Sequence, residues 1–257
     1  MDPSTASAGR ETRPGNFAAT RWTLVQRARG VSPEARAALG ELCEAYYEPV
    51  HAFIRQLEAD PEEACDLTQS FFAHLLSGRA FAAVEPGRGR FRSYLLGAVK
   101  HFLAESHRTA AAAKRGGGQR PVSLADRAGM ETTTELQVPD PTGPAPDVVY
   151  DRQWAVSLVE RAGEILAAEY EASQGPERFA ALKPWLLGDP RTLSQSEAAG
   201  RLGLSDGAFK VAIHRMRRRF RELVRVEIAH TVGDPTQIEE ELRYLVEVLV
   251  RNESGGG

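Results

Sequence analysis

Residues 192–221 read TLSQSEAAGRLGLSDGAFKVAIHRMRRRFR, and few folds accommodate such a stretch. Ser194 followed by Glu197 is a capping box, in which each side chain satisfies an orphan N–H at a helix start. Ala198, Ala199 and Leu202 make one apolar side of the short helix that follows. Gly203 ends it, because glycine adopts at little cost the left-handed backbone that closes a helix. Leu204 is placed to pack into the gap. Ser205 is a good N-cap for a second helix, and Asp206 suits the positive end of its dipole. In that helix Phe209, Ala212, Ile213, Met216, Phe220 and Leu223 recur at helical spacing and face inward. Lys210, His214, Arg217, Arg218 and Arg221 fall mostly outward, and the small Gly207 and Ala208 open the first turn. Two capped helices around a glycine turn, the second with one apolar and one basic face, have the layout of a helix-turn-helix that lays its second helix in a DNA major groove. A solvated basic helix in an ordinary bundle is the plain alternative. The coincidence of caps, turn and small-residue start favours DNA.

Charge is sorted along the chain. The net charge of -3 over 257 residues hides an acidic block at 34–87, with Asp66 inside it, and a basic block at 88–120. The 192–221 stretch is basic again and the tail after Gly233 is acidic. Such blocks suggest two basic nucleic-acid surfaces and acidic surfaces for a different partner. The two cysteines, Cys43 and Cys65, support neither a zinc site nor a disulfide framework. Cys43 falls on an apolar helical face, so a buried, reduced thiol is expected. No apolar run approaches the ~18 residues of a membrane span, and the first residues lack a signal-peptide core. The expectation is a cytoplasmic protein with no membrane contact.

The hydrophobic periodicity is helical throughout, with no strand alternation and no internal repeat. Residues 1–16 are rich in Ser, Thr, Gly and Pro and read as disordered. A short helix is expected from Thr23 to Arg29. A longer amphipathic one carries Leu39, Leu42, Cys43, Tyr46, Tyr47, Val50, Phe53 and Ile54. Asp60-Pro61 starts the next, residues 77–90 read as a loop, and a further helix runs from Phe91 through Leu103. Residues 110–150 break the periodicity with Gly116-Gly117-Gly118 and five prolines up to Pro146, a tether of about forty residues that is too long for an ordinary loop. The sequence therefore predicts an all-α chain of two small helical domains joined by a long flexible linker. Its segments are an arm at 1–19, a first domain at 20–110, an acidic Pro/Gly-rich linker at 111–150, a second domain at 151–232 and an extension at 233–257.

The order of these motifs resembles a known family. DLTQSFFAHLL at 66–76, FRSYLLGAVKHFLAESHR at 91–108, a long linker and the helix-turn-helix at 194–221 together look like the extracytoplasmic-function (ECF) sigma factors, the two-domain members of the sigma-70 family. The resemblance covers roughly residues 20–230. It implies no cofactor and no metal. Its partners would be core RNA polymerase and promoter DNA, both duplex and melted strand, with an anti-sigma factor or other regulator as a further partner that such proteins have. By position, Asp66, Gln69 and Phe72 match the segment that docks on the polymerase largest subunit. Phe71 and Phe72 are adjacent and cannot both face the same way, so one is expected in the core and the other as a contact. Arg92, Tyr94, Lys100, His101 and Arg108 match the part that holds the opened start-proximal promoter element. Tyr94 stands where many members have Trp, and it also falls on the apolar stripe. His101 stands where many have Asn. Ser205, Gly207, Ala208, Lys210, Val211, His214, Arg215 and Arg218 match the helix that reads the upstream duplex element, with Lys and Arg on phosphates and one or two on guanine edges.

Residues 233–257 lie outside that pattern. Ile238, Leu242, Leu245 and Leu249 form an apolar seam with Glu239, Glu240, Glu241 and Glu247 around it. The sequence leaves open whether this helix packs on the second domain, docks a regulator or covers the basic recognition helix. Two other functions compete with a polymerase subunit. One is a freestanding helix-turn-helix regulator, which the long linker and the acidic first domain disfavour. The other is an enzyme using Glu62, Glu63 and Asp66 or the histidines His51, His74, His101 and His107. No nucleophile–base pairing, phosphate-binding loop or metal spacing accompanies those residues, so the chain is expected to bind rather than catalyse.

Overall fold

The structure is a computed structural model, and it describes residues 32–76, 90–114, 144–188, 190, 194–232 and 234–250. Every regular element among the described residues is helical. The expected arm, the short helix at 23–29, the loop at 77–89 and residues 115–143 of the linker lie outside them.

Ser32 and Pro33 set the start of α1 (Pro33–Leu57). The Ser32 hydroxyl accepts from the Ala35 N–H at 3.2 Å, and Pro33 fills the first turn, where its missing N–H costs nothing. Ala38, Leu42, Tyr46, Val50, Phe53 and Ile54 recur at helical spacing and are all buried. Asp60 opens α2 (Pro61–Leu76), accepting from the Glu62 N–H at 2.9 Å. Next comes α3 (Phe91–Lys114), which buries Phe91, Leu95, Val99 and Leu103.

The longest helix, α4 (Pro146–Gln174), begins inside the stretch expected to be linker. Pro146 takes the first position and Asp147 the first turn, which is where a proline and an acidic residue favour a helix start. Its inner line is Tyr150, Trp154, Leu158, Ala162, Leu166 and Tyr170, and Gly175 ends it with φ +86°. Among the described residues the most extensive helix pair is α1 on α4. Phe53 and Tyr150 meet edge-to-face at 6.4 Å. The helices on either side of the sequence linker thus contribute to one hydrophobic core, which runs from Ala38 to Val248.

The remainder is α5 (Pro176–Leu182), a 3-10 turn at Lys183–Trp185, α6 (Gln195–Arg201), α7 (Asp206–Thr231), a second 3-10 turn at Pro235–Gln237 and α8 (Ile238–Val250). The tail helix α8 packs on α4 and α7 through buried Leu245 and Val248, with Leu242 and Leu249 half-buried. The apolar seam read from the sequence is therefore the packed face. Glu241 departs from that reading: it was expected with the acidic residues around the seam and is fully buried. Among the described residues no helix is long and apolar enough to cross a membrane.

Candidate nucleic-acid interface

The α6–α7 pair forms as its local sequence dictates. Ser194 Oγ accepts from the Glu197 N–H and Ser205 Oγ from the Ala208 N–H, each at 3.3 Å. Gly203 has φ +64°, a conformation that costs other residues roughly 1–2 kcal/mol. Phe209, Ala212, Ile213, Met216, Phe220 and Leu223 are all buried. A buried large apolar side chain is worth about 1.5–3 kcal/mol and a cap about 1 kcal/mol. Packing therefore fixes where α7 lies, and the caps fix where it begins. Trp185 meets Phe209 edge-to-face at 5.1 Å and seats the helix start on the preceding turn.

That packing turns the opposite face outward. Ser205, Gly207, Ala208, Lys210, Val211, His214, Arg215 and Arg218 are all exposed. Lys210, His214 and Arg221 follow one line along the helix, while Gly207, Val211, Arg215 and Arg218 follow a second. Gly207 and Ala208 leave a cleft of about 340 Å³ beside the first turn, with Tyr170, Arg178, Val211 and Arg215 on its walls. Arg218 is held lightly by Glu222 at 3.2 Å, and a pair this exposed is worth little in water. Arg217 departs from the outward set. Its guanidinium donates to the Trp185 carbonyl at 2.7 Å and the Gly188 carbonyl at 2.9 Å, so it pins the turn before α6. Arg219, which the sequence left unassigned, pairs with Glu169 of α4 at 2.6 Å. That contact holds the Glu169 carboxyl below its ordinary range.

The α3 residues divide. Arg92 was expected on an open promoter-contacting surface, and it is buried instead, 5% exposed. Its Nη1 donates to Asp151 at 2.5 Å, and its Nε and Nη2 grip Glu241 at 3.1 and 3.3 Å. Its guanidinium also lies over the Trp154 and Tyr244 rings, at 4.9 and 4.4 Å. Burial alone would lower its pKa, but the Glu241 hydrogen bonds and the charges of Asp151 and Glu241 more than offset this, and the net shift is upward. Burial followed by the Asp151 hydrogen bond pushes Tyr244 up to about 12. Arg92 is drawn inward because α4 and α8 each present a carboxylate at the first turn of α3, and an arginine fork satisfies both. Tyr94 and His101 are half-buried, Arg108 is exposed, and Lys100 pairs with Asp147 of α4 at 2.6 Å.

On α2, Glu62, Glu63, Asp66 and Gln69 are exposed on the outer side. Phe72 is not with them: it is 6% exposed and stacks on Tyr47 at 5.7 Å, while Phe71 is also fully buried. Both phenylalanines are core, because α1 covers one and α3 the other, as the Phe71–Phe102 contact at 5.6 Å indicates. Cys43 and Cys65 are free thiols, each half-buried, and burial beside Glu44 raises Cys43 to about 11.

The sequence reading missed Arg90, Asp151 and Glu241 as one cluster, and Arg161, which joins Glu227 of α7 at 3.1 Å to the Ala45 carbonyl of α1 at 3.4 Å. Their common signal was a charged residue on an apolar stripe, at Asp151, Glu227 and Glu241. Among the described residues no group of three or more His, Cys, Asp or Glu is placed to hold a metal ion. No family model, curated protein or solved structure matches this chain.

Proposed function

We propose that this chain is a promoter-specificity subunit of RNA polymerase, a sigma factor of the ECF type. It binds core polymerase through the outer face of α2, around Asp66 and Gln69. It reads duplex promoter DNA with α7, the second helix of a helix-turn-helix, and it assists strand opening with the 91–108 stretch. It works in the cytoplasm by binding, not as an enzyme, and needs no cofactor. The observation that carries the reading is the exposed row of Lys210, His214, Arg215 and Arg218 on a helix whose opposite face is wholly buried. Cations in such a row suit phosphates, and a bidentate arginine suits guanine. The acidic face of α2 lies on a separate surface and repels DNA, which suits a protein partner.

A gel-shift on promoter fragments tests this directly. A sequence-specific shift is expected only when core polymerase is present. An equal shift by the chain alone favours a freestanding regulator, and no specific shift in either case contradicts both readings.

A further inference from the structure

Three consecutive carboxylates in the first turn of α8 each meet an arginine from elsewhere in the chain. Glu239 pairs with Arg225 of α7 at 3.1 Å. Glu240 pairs with Arg90 at 2.8 Å. Glu241 pairs with Arg90 and, at 3.1 Å, with Arg92. One acidic turn thereby joins the start of α3 to the far half of α7. Arg90 and Arg92 belong to the basic 88–120 block, and Arg225 lies just beyond the basic 192–221 stretch.

The chemistry of that turn resembles a nucleic-acid backbone. Arginine forks bind carboxylate and phosphate in the same planar, bidentate manner. We propose that Arg90 and Arg92 form a phosphate site for single-stranded DNA, and that Glu240 and Glu241 occupy it in the free protein while Glu239 anchors the same turn on Arg225. DNA and α8 compete for it. The biological meaning rests on the promoter-binding reading, but the competition does not.

Two features make α8 displaceable. It has only 13 residues, a length at which a helix is marginal without its docking partner. Arg92 also keeps a partner when α8 leaves, because Asp151 belongs to α4. The site is therefore vacated without stranding a buried charge, and Arg90 is released fully.

The test is fluorescence anisotropy with a labelled oligothymidylate strand, which carries no promoter sequence. Four forms are compared with wild type: deletion of 234–257, E239Q/E240Q, the same pair in an R90A background, and E160Q/E164Q as a charge-matched control on exposed positions of α4. Glu239 and Glu240 are 61% and 62% exposed, so E239Q/E240Q keeps the fold even if the deletion does not. Expected are binding roughly tenfold tighter for the deletion and about threefold for E239Q/E240Q, with the gain lost in R90A. Equal gains in the control and E239Q/E240Q would overturn the proposal, since net charge alone would explain them, as would no gain in either α8 variant. Failure of promoter-specific transcription with intact competition would instead remove the sigma-factor reading and leave this one.

Discussion

Arg92 and Glu241 lie 149 positions apart and meet through two parallel hydrogen bonds at 3.1 and 3.3 Å. Both are buried, and Asp151 completes the cluster at 2.5 Å. Removing Arg92 leaves the Asp151 carboxylate without its cation in the interior, a loss of about 3–5 kcal/mol. Arg92→Ala is expected to lower the thermal midpoint strongly, and Glu241→Ala less, because Asp151 still pairs with Arg92. The joint replacement R92M/E241L is expected to recover part of that loss, limited by Asp151, which loses its cation and keeps only the Tyr244 hydroxyl as a donor. A thermal-unfolding cycle over the four proteins checks this. Additive losses would mean that the pair carries no coupling.

The placement of Phe72 separates two effects that a single mutation would confound. It is a core residue stacked on Tyr47, so Phe72→Ala is expected to cost about 3–5 kcal/mol of stability. Asp66 is exposed, so Asp66→Lys is expected to keep the urea midpoint and weaken core-polymerase affinity. Surface plasmon resonance beside urea unfolding gives both numbers. Unchanged polymerase affinity of folded Asp66→Lys would contradict the docking assignment.

On α7, alanine at Lys210, Arg215 and Arg218 is expected to leave the fold unchanged, since all three are exposed. Each lost phosphate contact should weaken DNA binding across sequences and reduce the salt slope by about one. A lost base contact should instead cost about 1–3 kcal/mol and relax one position of the site. Titrations at several salt concentrations on matched and mismatched promoters distinguish the two. Arg217→Ala should behave differently, lowering stability through the 183–188 turn that it pins.

Cys43 supplies a pH test. Burial raises its thiol to about 11, so the folded state disfavours the thiolate. The thiolate is the reactive form, and at pH 8 its fraction is roughly one in a thousand when the pKa is three units higher. Alkylation of Cys43 in the native protein is expected to be slow at pH 8, to accelerate toward pH 11, and to be fast at pH 8 in urea. Mass spectrometry of the Cys43 peptide over time reads the rate. Equal rates in native and unfolded protein would contradict the burial.

What the sequence revealed was local. The Ser194 and Ser205 caps, the Gly203 turn and the inward line from Phe209 to Leu223 each depend on residues within a few positions of one another. All of them formed as expected. What it concealed was long-range. Nothing near Arg92 announces that Asp151 and Glu241 will bury it, because helices far apart in sequence supply those carboxylates. Phe72 was ambiguous for the same reason, since its fate depends on Tyr47 of another helix. Pro146 and Asp147 counted toward a linker by composition, yet they are also good first-turn residues, and the apolar line from Tyr150 onward extends the helix back to them.

The central claim is polymerase-dependent promoter recognition, and mapping of transcription starts in a reconstituted system tests it most directly. Purified core polymerase with this chain, on a library of genomic fragments, is expected to initiate at discrete sites that share an upstream duplex element and a start-proximal element. Alanine at Lys210, Arg215 and Arg218 should abolish that selectivity. Starts that are the same with and without the chain would contradict the account.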